Sequence, residues 1–424
     1  MQHVRLFVLA LAGAVLLTLS ACGGTDTTEG SLEIDVEGLP AAGSAAVTVA
    51  GPGGYSAVVD STTTLSGLAA GTYTVNGDMG RVPGPIVDTA YDASGGGTVT
   101  VTAGATASST VSYTLRPGSG KMWVGEDGVG VHGFAASQLT TSGSPTADVV
   151  LSNGNGPNGL ALDADGNLWV SLVDVQALGM YSPSQLASSG SPTPQVVIDS
   201  DGTSIGFGYA ITFDPSGNLW VANTSDDRLE MFTPAQLATS GSPSPSVVLT
   251  AAATTLDGPL GMTFDDEGAL WVSSTQTPAV VKFPPSELAS SGTATASVVL
   301  TANGSSLDRP EGLAFDDDGS LWVANEGAAN TLVKFTPAQI EASGSPVPDV
   351  TISDNGGALD QPVALAFDNA GDLWVANYGG TTGPVVKYDA ADLTTTGAPT
   401  AAVTIDGFID MDVPMIAFNP PPAP

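Results

Sequence analysis

RPEGLAFDDDGSLWVANE, residues 309–326, is two apolar runs joined by an Asp/Gly-rich turn. The phrase returns as GPNGLALDADGNLWVSL at 156–172 and as GPLGMTFDDEGALWVSS at 258–274. Each copy contains one tryptophan. Trp123, Trp169, Trp220, Trp271, Trp322 and Trp374 follow one another at spacings of 46, 51, 51, 51 and 52 residues. A fixed period of that length marks a repeat architecture.

One unit parses into four strands. GLAFD (312–316) is the first, DDDG the turn, LWVAN (321–325) the second, TLVKF (331–335) the third and DVTIS (349–353) the fourth. Four strands per unit, repeated six times, predict a six-bladed β-propeller over residues 121–424. The first unit opens at KMWV (121–124), already at its second strand, and the chain ends with VPMIAFNP (413–420), a first strand with nothing after it. The C-terminal strand is therefore expected to complete the first blade and to remove open sheet edges. The Trp rings are expected in the core, each hiding about 150–250 Å², worth roughly 4–6 kcal/mol before entropy.

The turns have physical reasons. Asp163/Gly166, Asp214/Gly217, Asp265/Gly268, Asp316/Gly319 and Asp368/Gly371 open and close type I turns. DADGN also looks like a calcium loop, but an EF-hand needs a longer ligand series and flanking helices, and strands flank it here. TPAQLATSG (233–241) predicts a short helix with Thr233 as N-cap, Pro234 at its first position, Gln236 completing a capping box and Gly241 as a left-handed C-cap. The same segment recurs at 182–190 and 336–344.

Residues 31–117 carry no tryptophan and no copy of the repeat. Alternating runs such as AAVTVAG and STVSYTL predict a small antiparallel β-sandwich. LSGLAAGTYTV (65–75) resembles a stretch of carboxypeptidase-regulatory-like modules, with Tyr73 and Val75 expected to point inward.

The N-terminus gives the address. A short basic start is followed by an apolar run, Leu6 to Leu19, too short for a span of about 20 residues. Leu19-Ser20-Ala21-Cys22 then resembles the lipobox of bacterial lipoproteins, with Cys22, the only cysteine, as the acylated residue. The reading is a signal peptide over 1–21, a flexible tether over 22–30, and a monomer held on the membrane of a bacterial cell envelope by its N-terminal lipid, outside the cytoplasm. With 43 acidic against 9 basic residues, the formal charge is −34. Nucleic acid is excluded as a partner, because its affinity comes from Lys and Arg on phosphates. A cation or a basic segment would be attracted.

The repeat phrase resembles the NHL-repeat family and the wider regucalcin/gluconolactonase-like propellers. The resemblance implies that the start of each first strand faces the axial channel, a place held here by Asn158, Tyr209, Leu260, Glu311, Val363 and Pro414. In regucalcin-like lactonases a Glu, an Asn and an Asp hold a divalent cation there. Glu311 and Asn158 resemble two of these ligands, and an Asp is missing from the series. Virginiamycin B lyases are similar propellers that use histidine, but His132 lies in a third strand and reads as packing or surface. The ends of the second strands add Asn223, Asn325 and Asn377, with Ser274 and Glu126 in related places, and the loops entering the first strands add Asp257, Asp308, Asp360 and Asp412. This end of the ring is expected to be polar and acidic, with two readings open: Asp and Asn that cap loop backbones, or a recognition surface for a cation, a polar small molecule or a basic protein segment. Two functions follow as expectations: a binding or scaffolding module for a polar ligand or protein partner, and, as the alternative, a metal-dependent lactonase-type hydrolase at the channel.

Overall fold

The computed structural model describes residues 28–126, 128–152, 155–252, 255–304, 306–379, 383–408 and 415–419. Cys22, the signal segment, Asp412 and Pro414 lie outside them.

Residues 29–115 form eight strands: β1 Glu29–Glu37, β2 Ser44–Gly51, β3 Tyr55–Val59, β4 Thr63–Ala69, β5 Gly71–Val82, β6 Thr89–Gly95, β7 Gly97–Val101 and β8 Thr106–Leu115. Their order is β3-β2-β5-β6-β8-β1-β4, and β7 pairs the first half of β5 while β6 pairs its end. The long β5 thus belongs to both halves of a sheet folded over one core. Leu32, Ile34, Val47, Val75 and Val111 are wholly buried in that core. Tyr73 and Val75 point inward as the alternation requires, and the Tyr73 hydroxyl donates to Ala69 O at 3.1 Å. Two details differ from expectation. The tether ends earlier, since Glu29 and Gly30 already pair with β4. Pairing is antiparallel except between β1 and β8, which run parallel. These two strands are the ends of the module, joined by the whole of it, so no hairpin constrains their direction.

Six sheets follow among the described residues, each built on four blade strands; blades 2 to 6 run in sequence order from the inner edge outward, blade 3 gaining the two-residue strand Gly292–Thr293 beyond its outer strand, and in blade 1 the C-terminal strand stands innermost. The blade inner strands are Ile416–Asn419 for blade 1, Pro157–Leu162 for blade 2, Gly208–Phe213 for blade 3, Pro259–Phe264 for blade 4, Pro310–Phe315 for blade 5 and Pro362–Phe367 for blade 6. Blade 1 is completed by the C-terminal strand: Ala417 pairs with Trp123 and Phe418 with Met122. That strand also touches the inner strands of blades 2 and 6, so the ring closes. The architecture is an all-β, six-bladed β-propeller preceded by a small β module.

The six tryptophans are buried, five of them at 1% exposure or less. The turn aspartate reaches back to hold the ring: Asp Oδ2 accepts the Trp Nε1–H six residues later in blades 2 to 6, at 2.9 to 3.2 Å. Asp Oδ1 meanwhile accepts backbone N–H groups of its own turn. The matching glycines sit at φ of +74° to +79°, the left-handed region where a side chain is strained. In blade 1 this place is held by Asn419, whose amide donates to Gly118 O instead. Each Trp from blade 2 to blade 5 also meets a Phe of the next blade edge-on, as in Trp271–Phe315 at 6.0 Å.

The segment after the third strand corrects one expectation. The helical turn Pro234–Leu237 and its capping box are present, with Thr233 N–H donating to Gln236 Oε1 at 2.9 Å. Gly241 is not a left-handed cap. It pairs with Ile198, in the outer strand of the preceding blade, giving and receiving backbone bonds of 3.0 and 2.8 Å. Ser240 accepts a third bond from Val197 N–H at 3.0 Å. The same Ser/Thr-Gly clasp is made by Gly143, Gly190, Gly292, Gly344 and Gly397, so every outer strand is held by its neighbour. The exposed outer edge asked for such cover, and a β-bridge supplies more bonds than a helix cap.

The module is docked on the propeller, at the end carrying the Asp-x-x-Gly turns. Ile86 and Val87, in the β5–β6 connection, are buried in one cluster with Trp374 and Phe418. Asn369 donates to Gly84 O and Asp88 Oδ1 at 3.0 and 2.7 Å. Arg116 pairs with Asp92 at 2.6 Å and donates to Ala164 O. The starts of the inner strands lie at the opposite end.

Candidate functional site at the channel mouth

At that opposite end a cavity of about 270 Å³ opens over the inner strands of blades 3 to 6. Its walls include Tyr209, Leu260, Glu311 and Val363, four of the six strand-start residues picked out by the repeat. Glu311 is only 4% exposed, although the repeat needs no acid there. Asn158 is buried in the blade 2 inner strand and does not line this cavity.

The rim was harder to foresee. Each inner strand from blades 2, 4, 5 and 6 begins with a proline, and the residue before it adopts a left-handed φ: Gly156 at 57°, Gly258 at 63°, Arg309 at 51° and Gln361 at 54°. Glycine accepts that backbone freely, whereas Arg309 and Gln361 hold it under strain. Both side chains converge on Glu326, itself 5% exposed. Arg309 Nη2 lies 2.7 Å from Glu326 Oε2, and Gln361 Nε2 donates to Oε1 at 3.2 Å. Thr224, Thr275 and the 40%-exposed Tyr378 complete the wall. The sequence signal was an Arg and a Gln standing before the proline where sister repeats have Gly.

The second-strand ends follow the loop-capping reading rather than the ligand-binding one. Asn223, Asn325 and Asn377 are wholly buried, and they hold the loops rather than face an open rim. Asn325 accepts from Asp308 N–H at 3.1 Å and donates to Ser306 O and Thr331 Oγ1. Asn377 accepts from Asp360 N–H and donates to Ala358 O and Pro384 O. Asn223 donates to Asp226 and to the fully buried Glu230, which also receives Arg228 Nε and Ile205 N–H. Ser274 does the same work in blade 4, exchanging bonds with both backbone groups of Asp257. A buried amide with two donors and an acceptor suits this task.

His132 lies with its Nε2 2.6 Å from Glu126 Oε2, stacked near Phe134 and edge-on to Phe408. For a divalent cation, Glu311 and Asn158 would need companions. Among the described residues no three of His, Cys, Asp and Glu gather closely enough to hold a metal ion.

No family model matches the sequence, and no curated protein matches it. Solved structures do. Virginiamycin B lyase from Staphylococcus aureus is 15% identical, over 69% of this chain and 86% of that one, with a TM-score of 0.41. A chain of a nidogen/laminin complex is 15% identical over 70% and 98%, at 0.49. A gluconolactonase from Xanthomonas campestris is 15% identical over 64% and 78%, at 0.41. At such identities the likeness concerns the six-bladed fold.

Proposed function

We propose that this chain is a lipid-anchored, extracytoplasmic binding module of the bacterial envelope, which takes a polar ligand or partner segment at its channel mouth. The observation that carries the reading is the cavity around Glu311. A carboxylate buried among Leu260, Val363 and Tyr209 costs desolvation energy that a repeat position does not require. Convergent polar groups in a concave, partly apolar pocket are the usual form of a ligand site. The strained Arg309 and Gln361 at the rim support the same reading. The docked module supports the topology: it occupies the far end of the ring, so an anchor at Cys22 would leave the mouth open to ligands.

A pull-down from envelope extract and medium, comparing wild type with Glu311→Ala, tests the proposal. A ligand retained by wild type and lost in the variant is expected, with melting unchanged because Gly312, Leu313 and Phe315 keep the strand. Equal retention by both proteins would remove the mouth as the site. Cation-dependent lactone hydrolysis abolished by Glu311→Ala would replace the binding reading with the hydrolase.

A further inference from the structure

We infer that the grooves between blades 4 and 5 and between blades 5 and 6, at the end of the ring that carries the Asp-x-x-Gly turns, take an extended peptide in which a branched apolar pair is followed by a lysine or arginine. These grooves lie at the end opposite the channel mouth, so the inference stands independently of the mouth reading. An occupant is already seated in a sister groove. Between blades 6 and 1, Ile86 of the module joins Trp374, Phe418 and Leu139 in one buried cluster. Asn369, the second residue of the blade 6 turn, fixes that segment. Its N–H donates to Ile86 O at 3.3 Å, and its side-chain amide donates to Gly84 O and Asp88 Oδ1.

The repeat places the same parts twice more. Phe418 corresponds to Phe315 and Phe367, and Leu139 to Ile340 and Leu393. Phe315 and Ile340 line a cavity of about 280 Å³ between blades 4 and 5, and Phe367 and Leu393 line one of about 270 Å³ between blades 5 and 6. Phe418 is 3% exposed in the groove that the module enters, whereas Phe315 and Phe367 are half-buried. Each open groove therefore keeps the apolar seat that Ile86 fills next door. Charge decides the kind of peptide. Asp266 and Asp317 stand where Asn369 stands. An ionised carboxylate accepts hydrogen bonds and donates none, so neither can hold an acid as Asn369 holds Asp88. The whole lining points the same way, with five carboxylates against Lys282 in the first groove and three against Lys334 in the second. Lys282 is itself held by Asp265 and Glu267, and Lys334 by Asp316. A cationic side chain two residues after the apolar anchor, in the place of Asp88, gives Asp266 or Asp317 a charge-assisted donor.

The test titrates the full-length protein, by calorimetry, with three end-blocked peptides built on residues 82–89. They are VPGPIVDT, as in the module, VPGPIVKT, with lysine in the place of Asp88, and VPGPSSKT, which keeps the lysine and loses the apolar pair. VPGPIVKT is expected to bind at least about tenfold more tightly than VPGPIVDT, since the swap turns a repulsion beside one carboxylate into an attraction. A similar margin is expected over VPGPSSKT, which buries no branched side chain. Asp266→Asn combined with Asp317→Asn should erase the advantage of VPGPIVKT over VPGPIVDT; both positions are exposed turn residues, and the variant is first shown to melt like wild type. Equal binding of VPGPSSKT would reduce the effect to the pull of a chain of charge −34 on any cation and overturn the apolar seat. Equal binding of VPGPIVDT to wild type, no binding of VPGPIVKT, or binding indifferent to the two substitutions overturns the inference. Dimerisation of the protein that the same two substitutions abolish would give the grooves to a second copy and overturn it as well.

Discussion

Two aspartates in one repeat slot should respond to the same substitution with opposite pH trends. Asp265 and Asp368 each open a hairpin turn and accept a Trp Nε1–H at 2.9 Å. In blade 4, Lys282 lies 2.9 Å from Asp265 and over the Trp271 ring. Burial pushes the Asp265 carboxyl up, but the Lys282, Trp271 and Ala269 donors together outweigh it, and its pKa is lowered from 3.8. In blade 6 the lysine turns elsewhere, with Lys387 pairing Asp372 and Asp389. Asp368 is 4% exposed without that cation, so burial wins and its pKa is raised from 3.8.

The signs follow by linkage. A depressed folded pKa gives stability that is present above 3.8 and lost as pH falls through the folded value; a raised one gives stability present below 3.8 and lost as pH rises through the folded value. At pH 7, Asp265→Asn removes a charge-assisted hydrogen bond with Lys282, which is only 19% exposed, and should cost about 2 kcal/mol. For a propeller of roughly 300 residues, with about 2.1 cal/mol/K of unfolding entropy per residue, that is a fall of about 3 °C in the melting midpoint. Asp368→Asn weakens bonds from neutral donors but removes a buried charge, and should cost no more than about 1 kcal/mol. Circular-dichroism melts of both variants and wild type, taken from pH 7 down to pH 3, read the difference. The Asp265→Asn deficit should shrink below pH 3.8, while wild type should lose ground to Asp368→Asn as pH climbs above it. Equal costs at pH 7, or parallel pH trends, would refute the reasoning.

Ser240→Ala should remove one clasp bond and lower stability by about 1 kcal/mol, whereas Ser240→Thr keeps the hydroxyl and should not; equal melting of all three proteins would show the clasp to be idle. Deleting residues 413–424 takes away the inner strand of blade 1 and should lower the melting midpoint sharply, and a truncated protein melting like full length would defeat ring closure. Cys22→Ser should move the protein from the membrane fraction to the soluble one; mass spectrometry finding wild-type Cys22 unmodified would end the lipid-anchor proposal.

The blade architecture was legible because its cause is local and repeated. LWVAN, GLAFD and the Asp-x-x-Gly turn recur with a period that only a stacked repeat explains, and the unpaired first strand at the C-terminus told where the ring closes. The Ser-Gly clasp was visible as a pattern, but its meaning was not. TSG after a helical turn satisfies the local rule for a C-cap, and nothing local reveals that the outer strand of another blade lies beside it. Asn325 and Asn377 could be read two ways, as loop caps or as ligand contacts, for a similar reason. Polar residues at strand ends read as surface, yet the loops entering the inner strands fold over them and use their amides. The docking of Ile86 and Val87 against blade 6 was out of reach, because no short-range pattern couples residue 86 to residue 374.

What a repeat protein needs from its sequence is sameness, and so departures from sameness carry the functional signal. The residue before the inner-strand proline must accept a left-handed backbone, and blades 2 and 4 meet that demand with Gly156 and Gly258. Blades 5 and 6 place Arg309 and Gln361 there, at a cost of about 1 kcal/mol or more each. Blade 5 adds Glu311 two residues on, where the other described blades have Asn, Tyr, Leu and Val. Fold stability favours none of these choices. They fall together around one cavity, and Arg309 and Gln361 meet on one carboxylate, Glu326. Strain and burial that the repeat does not require are concentrated on one arc of the ring, and the binding proposal is placed there for that reason.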